Sequence, residues 1–332
     1  MNREEALYLG FDTSCYTTSI ACVGHSGIVF SERTMLRVHL GEAGLRQSEG
    51  VFQHIGNLER MLPEALSGVD TKKIAAVAVS AAPRDLEGSY MPVFAVGRSV
   101  AASVAAALHV PLYKVSHQAG HVRAALHGNE ALLKKDFLSL HISGGTTELV
   151  LARMNGGYIG ELKLLGGTSD LHAGQFVDRV GVKMGLPFPA GAELERLARQ
   201  YSGAQNILLP SSVKGLSCSF SGVETKAQQL LAKGTEKEAV AFAVYDCLSR
   251  TIVKLLRQGY EETKIPDVLL CGGVASSALL RELLKERLEK SALTLHFGEA
   301  ALSGDNAVGV ALLAKDIKSK GLPVTEKGDR NE

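Results

Sequence analysis

The sequence predicts an α/β protein made of two duplicated lobes around a central cleft, and three observations predict it. The first is a repeated hairpin design. LYLGFD (7–12) and TSIACVG (18–24) read as apolar strands joined by a small polar turn, and FLSLHI (137–142) and TELVLARM (147–154) repeat the design around SGGTT. The second is the alternation of strand and helix patterns. IAAVAVS (74–80) and VLLC (268–271) read as buried strands, and helical periodicity runs through 50–66, 92–108, 234–260 and 276–290. The third is the unit VLLC–GGVASS–helix, in which a strand passes through two glycines directly into an amphipathic helix. The segment 156–222 reads as loop-rich, and the tail from residue 318 as polar and frayed.

The bulk numbers fit this organisation. A chain of 332 residues has material for two cores, and 45% hydrophobic with 21% charged residues describes a globular protein. Lys plus Arg is 36 against 35 acidic residues, a formal charge of +1, so whole-chain charge argues for no polyanionic partner without a local patch or a helper protein. Five cysteines (Cys15, Cys22, Cys218, Cys247, Cys271), with no CxxC spacing, read as reduced thiols in a cytoplasmic chain. The longest apolar run, MPVFAVGRSVAASVAAALHV, is broken by Arg98, so no membrane span is expected.

Three short stretches point to chemistry. In VSHQAGHVRAAL (115–126) a helix places His117 and His121 at i and i+4, on one face, where both imidazoles reach one ion; a solvated face with two polar residues fits the pair alone as well. Gln118 stands where a zincin protease carries its general base, which excludes that chemistry. In SGGTT, Gly144 and Gly145 let the backbone approach an anion beside the hydroxyls of Ser143, Thr146 and Thr147, or form a plain tight hairpin. GGVASS offers amides at a helix N-terminus, where the dipole favours an anion, or is a short connection of small residues. Two such turns on duplicated lobes are the pattern of an actin-like or sugar-kinase-like (ASKHA) ATPase core.

With LGFDTSCYTTSIAC, RQSEGVFQH, SHQAGH, HISGGTTEL, FVDRVGVKMGLPFPAG, SCSFSGVETK, CGGVASSALLR and GDNAVGVA in this order, the chain resembles the TsaD family of threonylcarbamoyl transferases, once called glycoproteases. The resemblance runs from about residue 8 to 315. It implies that His117, His121 and Asp305 ligate one divalent transition metal, iron or zinc. His141 stands where some members carry a tyrosine ligand, with a hydrogen-bonded histidine as the other reading. It further implies that an adenine nucleotide (threonylcarbamoyl-adenylate, ATP or AMP) lies against Ser143, Gly144, Gly145, Thr146, Asp178, Gly191, Gly272 and Gly273, with Ser277 closing the last turn. Asp178 would take the ribose; a helix-surface acid is its other reading. No catalytic side chain is implied.

On this pattern the N-terminal lobe is 1–125 with a C-terminal helix at 304–318 packing back, and the second lobe is 126–303 with an inserted loop-helical segment. The implied activity is metal-dependent transfer of the threonylcarbamoyl group to tRNA adenosine. The alternatives are a paralogous nucleotide-binding carbamoyl-type transferase with another acceptor, or a non-catalytic nucleotide-binding partner; a peptidase is not supported. Implied partners are tRNA, a TsaB-like paralogue and a TsaE-like ATPase, with a homo- or heterodimer compatible. The chain departs from the family at Tyr16 and Thr17 (two acids expected), Thr146 (His or Asn expected), Leu171, Gln175, Val177 and Ser277 (Asn expected), which leaves the acceptor open.

Overall fold

The computed structural model describes residues 6–14, 16–38, 45–203, 205 and 207–321. Cys15, part of the family-like turn, and the tail beyond residue 321 lie outside the described residues. The chain divides into two compact units, residues 1–127 with 156–159 and 304–332, and residues 128–155 with 160–303.

In the first unit the predicted hairpin forms β1 (Leu7–Asp12) and β2 (Thr17–Gly24), and the chain turns again into β3 (Gly27–Met35). Then follow α1 (Gln47–Ser67), β4 (Ile74–Ala82), α2 (Val93–Leu108), β5 (Leu112–Ser116) and α3 (His117–Ala125). In the second unit β6 (Phe137–Ile142) and β7 (Thr147–Asn155) are the second predicted hairpin. They are followed by β8 (Tyr158–Thr168), α4 (Ala173–Lys183), α5 (Gly191–Ala198), β9 (Ser212–Lys214), β10 (Ser217–Ser219), α6 (Ser221–Ala232) and α7 (Lys237–Thr263). β11 (Asp267–Cys271), α8 (Ala278–Leu288) and β12 (Thr294–Phe297) complete that unit, and α9 (Val308–Ser319) returns to the first.

The sheets carry the duplication. The first has the order β3-β2-β1-β4-β5, and the second contains β8-β7-β6-β11-β12 with β10 and β9 added beyond β8. In both, an antiparallel hairpin (β1/β2, β6/β7) is continued on its other side by strands parallel to the first one. Parallel pairing needs crossovers, and the helical segments that follow the hairpins supply them.

One side of each sheet is apolar for a legible reason. Leu9 and Phe11 alternate with Gly10 and Asp12, so the former enter a core with Val77, Val79, Leu58 and Ala101, while Gly10 and Asp12 face the other way. In β6, Leu138, Leu140 and Ile142 pack against α7, whose Val240, Val244, Leu248 and Ile252 are buried.

The expectation of a loop-rich segment at 156–222 is overturned: it holds two helices and three strands. Glycines and prolines interrupt the sequence there, yet Phe176, Val177, Val180 and Met184 form a helical apolar stripe that α4 buries. The four described cysteines are all free and buried. Among the described residues no helix is long and apolar enough to cross a membrane.

Candidate functional site

In the first unit, β5 runs straight into α3, and Ser116 caps the helix by accepting a hydrogen bond from the Ala119 amide at 3.1 Å. The cap makes His117 the first helical residue and puts His121 one turn on. Asp305 comes from the turn before α9. His121 Nε2 lies 3.0 Å from His117 Nε2 and 3.2 Å from Asp305 Oδ1, and His117 Nε2 lies 3.7 Å from that oxygen. The candidate ligand atoms of all three residues fall within 4.8 Å of one another.

A fourth residue organises them. His117 Nδ1–H donates to Asp12 Oδ2 at 2.8 Å, and Asp12, almost fully buried at the end of β1, uses its other oxygen to accept from the Ser14 amide at 3.0 Å. The carboxylate thereby fixes the tautomer that turns Nε2 towards His121 and Asp305. Burial disfavours charge on His117, but the carboxylates of Asp12 and Asp305 outweigh it and push the imidazole up to about 9. Two imidazole nitrogens and a carboxylate oxygen converging, with one ring backed by a buried acid, form a donor set that suits a divalent transition ion.

Backbone contact brings α9 close enough for Asp305 to reach α3. A Cβ on Gly309 would lie 1.9 Å from the Gly120 carbonyl, and one on Gly10 would lie 2.6 Å from Ala307 O and Ala311 N. Only glycine permits these approaches of α9 to α3 and of α9 to β1. Arg123 of α3 clamps the pair with a bidentate bridge to Asp316 of α9, at 2.6 and 3.3 Å.

In the second unit, β6 and the parallel β11 end side by side, with His141 in register with Cys271. The SGGTT turn, closed by the Ser143 amide donating to Thr146 O at 2.8 Å, therefore sits beside the GG turn. The glycines there differ in purpose. Gly272 has φ +96°, and a Cβ on it would lie 2.3 Å from Ile142 O and 2.7 Å from the His141 ring, so packing requires it. At Gly144, Gly145 and Gly273 a Cβ would meet nothing within 4 Å, which leaves open backbone facing outward. Gly191 makes only ordinary contact with Val177 and starts α5, its carbonyl accepting from the Tyr245 hydroxyl at 2.9 Å.

Other predicted residues turn out to hold the local structure. Asp178 Oδ1 accepts from the Ala190 amide at 2.8 Å and so ties α4 to the start of α5; burial raises its pKa and that bond only partly offsets the rise. Ser277 caps α8 by accepting from Leu280 N at 3.2 Å, and Glu195 of α5 accepts from Leu279 N at 2.8 Å. At the N-terminus of α8 the Leu279 and Leu280 amides are thus taken by protein oxygens. His141 is buried on β6, against Gly272.

Sequence reasoning missed Asp12 and Asp170. Asp12 could have been found from its place at a strand end opposite the helical histidines. Asp170 accepts from the Phe220 amide at 2.8 Å and from the Ser221 amide at 3.2 Å, and the Ser221 hydroxyl also donates to it, so it caps α6 from a distant loop. Burial works to raise its pKa, but the donors from Ser221, Phe220 and Leu171 hold it below the usual range. Because the folded pKa is depressed, its contribution is present above the ordinary carboxylate pKa and fades as acidification passes through the folded value. Asp170→Ala should cost about 1–2 kcal/mol, as loss of a helix cap does. A urea titration at neutral pH checks this, and the deficit should shrink in acid.

The model of the family tRNA N6-adenosine threonylcarbamoyltransferase, TsaD, matches residues 46–312. The chain belongs to the TsaD family. The tRNA N6-adenosine threonylcarbamoyltransferase of Thermus thermophilus is 33% identical over 319 residues, covering 95% of this chain and 94% of that protein. The probable bifunctional tRNA threonylcarbamoyladenosine biosynthesis protein of Thermoplasma volcanium is 28% identical over 307 residues. This chain spans 92% of its own length in that match but 55% of the bifunctional protein. Among solved structures, component A of (R)-2-hydroxyglutaryl-CoA dehydratase from Acidaminococcus fermentans has a TM-score of 0.56 at 15% identity, covering 95% of this chain and 99% of that one. A ROK-family glucokinase from Streptomyces griseus has a TM-score of 0.54 at 12% identity, covering 94% and 100%. These likenesses fix the fold as actin-like, as the duplicated strand order already indicates.

Proposed function

We propose that this TsaD-family chain transfers the threonylcarbamoyl group from threonylcarbamoyl-adenylate to an adenosine of tRNA, using one divalent transition ion, iron or zinc, held by His117, His121 and Asp305. The observation that carries this reading is the convergence of His117 Nε2, His121 Nε2 and Asp305 Oδ1 with Asp12 behind His117. A bound ion would supply positive charge to oxygens of the acyl phosphate, which favours attack on the carbonyl by an amine. The chain's own residues do the remaining work. Asp12 keeps His117 oriented, and the buried Arg123–Asp316 clamp keeps α3 and α9 together.

The nucleotide, as threonylcarbamoyl-adenylate, ATP or AMP, is proposed to lie on the second unit. The open backbone at Gly144, Gly145 and Gly273 supports phosphate contact, with the Ser143 and Thr146 side chains beside it. Asp178 would offer its second carboxylate oxygen to the ribose while Oδ1 holds Ala190. Asp178→Asn retains an acceptor for Ala190, so it should fold normally and bind AMP about tenfold more weakly, as expected when a charged hydrogen bond becomes neutral. Unchanged affinity by calorimetry removes Asp178 from the nucleotide site.

A net charge of +1 offers little attraction to tRNA, which supports a need for partner proteins such as a TsaB-like paralogue and a TsaE-like ATPase. The deciding experiment incubates purified chain with threonylcarbamoyl-adenylate and tRNA, alone and with those partners, and follows adenosine modification by mass. No modification in any combination overturns the reading.

A further inference from the structure

Three successive carbonyls in the turn between β11 and α8 are engaged by the protein. Gly273 O accepts from the Ser276 amide at 3.3 Å and from the Ser276 hydroxyl at 2.5 Å. Val274 O accepts from the Ser277 amide at 3.2 Å, and Ala275 O from Arg281 Nε–H at 2.7 Å. A carbonyl aimed at a phosphate repels it and an amide N–H attracts it, so tying these oxygens inward turns the donor side of the backbone outward. Gly273 is the open point of the turn, where a Cβ would meet nothing within 4 Å.

The bonds at Gly273 and Val274 close within the turn itself, whereas the donor to Ala275 O comes from one turn into α8. The same guanidinium reaches further. Arg281 Nη2–H donates to Gly298 O at 2.9 Å, just past β12, and the guanidinium carbon lies 4.9 Å from the centre of the Phe297 ring. The Gly298 amide in turn donates to Leu270 O of β11 at 3.0 Å. One planar group therefore joins the glycine turn to the ends of two neighbouring parallel strands. Its N–H groups point in fixed, divergent directions, so holding Gly298 also fixes how Nε–H meets Ala275.

We propose that Arg281 is a positioning residue for the nucleotide: by holding Ala275 O inward it keeps the backbone at Gly272 and Gly273 turned towards the phosphate. This rests on the placing of the nucleotide against that turn in the reading above. Without the guanidinium, Ala275 O loses its donor and its peptide can rotate towards the place of the phosphate. Lysine is no substitute, because a single ammonium on a flexible stem does not reproduce the fork that spans both carbonyls.

The test measures AMP binding to the full chain by calorimetry, for wild type, Arg281→Lys, Arg281→Ala and Lys285→Ala. Lys285 is the control, since its Nζ lies 5.5 Å from the centre of the same Phe297 ring and bonds to no residue of the turn among the described residues. Both Arg281 variants should bind AMP roughly tenfold more weakly or worse, even though lysine keeps the charge. Lys285→Ala should bind AMP as wild type does. Hydrogen exchange at the Gly272, Gly273 and Val274 amides should quicken in the Arg281 variants while the α7 amides keep their protection. If Arg281→Ala fails to fold, Arg281→Lys decides. Wild-type AMP affinity in Arg281→Lys, whatever its urea midpoint, makes the residue purely structural and overturns the proposal. So does an equal loss in Lys285→Ala, which assigns the effect to positive charge alone. In both cases the nucleotide placing survives, because wild type binds AMP. No AMP binding by wild type overturns that placing and the role of Arg281 together.

Discussion

Gly309→Ala is expected to cost about 3 kcal/mol or more of stability in the first unit, the upper range for overpacking. The added methyl would lie 1.9 Å from Gly120 O and 2.8 Å from Ala124 N, both backbone atoms of α3. Side chains can swing away from such a clash, but a helix backbone cannot. α9 must therefore lift from α3, straining the Arg123–Asp316 bridge and moving Asp305 away from the two histidines. The same substitution at Gly56 of α1 is the control, since a Cβ there meets nothing within 4 Å and alanine is the better helix former by up to about 1 kcal/mol. Urea unfolding should therefore show the two alanine variants moving in opposite directions. A Gly309→Ala protein as stable as wild type would falsify the close-contact account.

How much of this could be read in advance depends on what kind of information each feature needs. The two hairpins, α1, α2, α7 and β11 were legible because their apolar residues repeat with the period of the element and their burial follows from that repeat. β3 was not, because its side chains lie mostly at the surface and its GIVFSERTM carries no consistent alternation. α4 and α5 were hidden by the glycines and prolines around them, though their apolar stripes are clear once the helix is drawn. The glycine turns were legible as turns, but which glycines serve packing was not. Gly272 is required by the Ile142 carbonyl, whereas Gly144 and Gly145 face open space, and composition is the same in both.

The metal trio shows the same limit. His117 and His121 were visible as a pair because helix geometry alone brings them together. Asp305 entered through motif order, since nothing local joins GDN to a helix so far away in the chain. Asp12 was not read as part of the set at all, since its role exists only through the contact of a strand end with the first residue of α3. Ser277 and Asp178 were read as ligand residues. The structure adds that each already accepts a hydrogen bond from the backbone, so a substitution there has a structural effect that must be separated from any effect on binding.

The ligand set itself makes the second large prediction. Protein purified without chelators should carry about one iron or zinc per chain, and His121→Ala or Asp305→Ala should lower its affinity by more than about a hundredfold, since each removes one of three donors. Asp12→Asn is the informative companion. Asparagine matches the shape of aspartate and can still accept from His117 Nδ1, but it gives up the negative charge that raises the basicity of the ring and holds its tautomer. Loss of such a supporting carboxylate typically costs 10–100-fold in metal affinity, so this variant should fall between wild type and the two ligand deletions. Competition against a chromogenic chelator at fixed pH orders the four proteins directly, with elemental analysis giving the stoichiometry. If His121→Ala and Asp305→Ala keep wild-type metal content and affinity, the ion is held elsewhere or not at all. If Asp12→Asn alone matches wild type, the trio stands and Asp12 serves only to close the turn through Ser14.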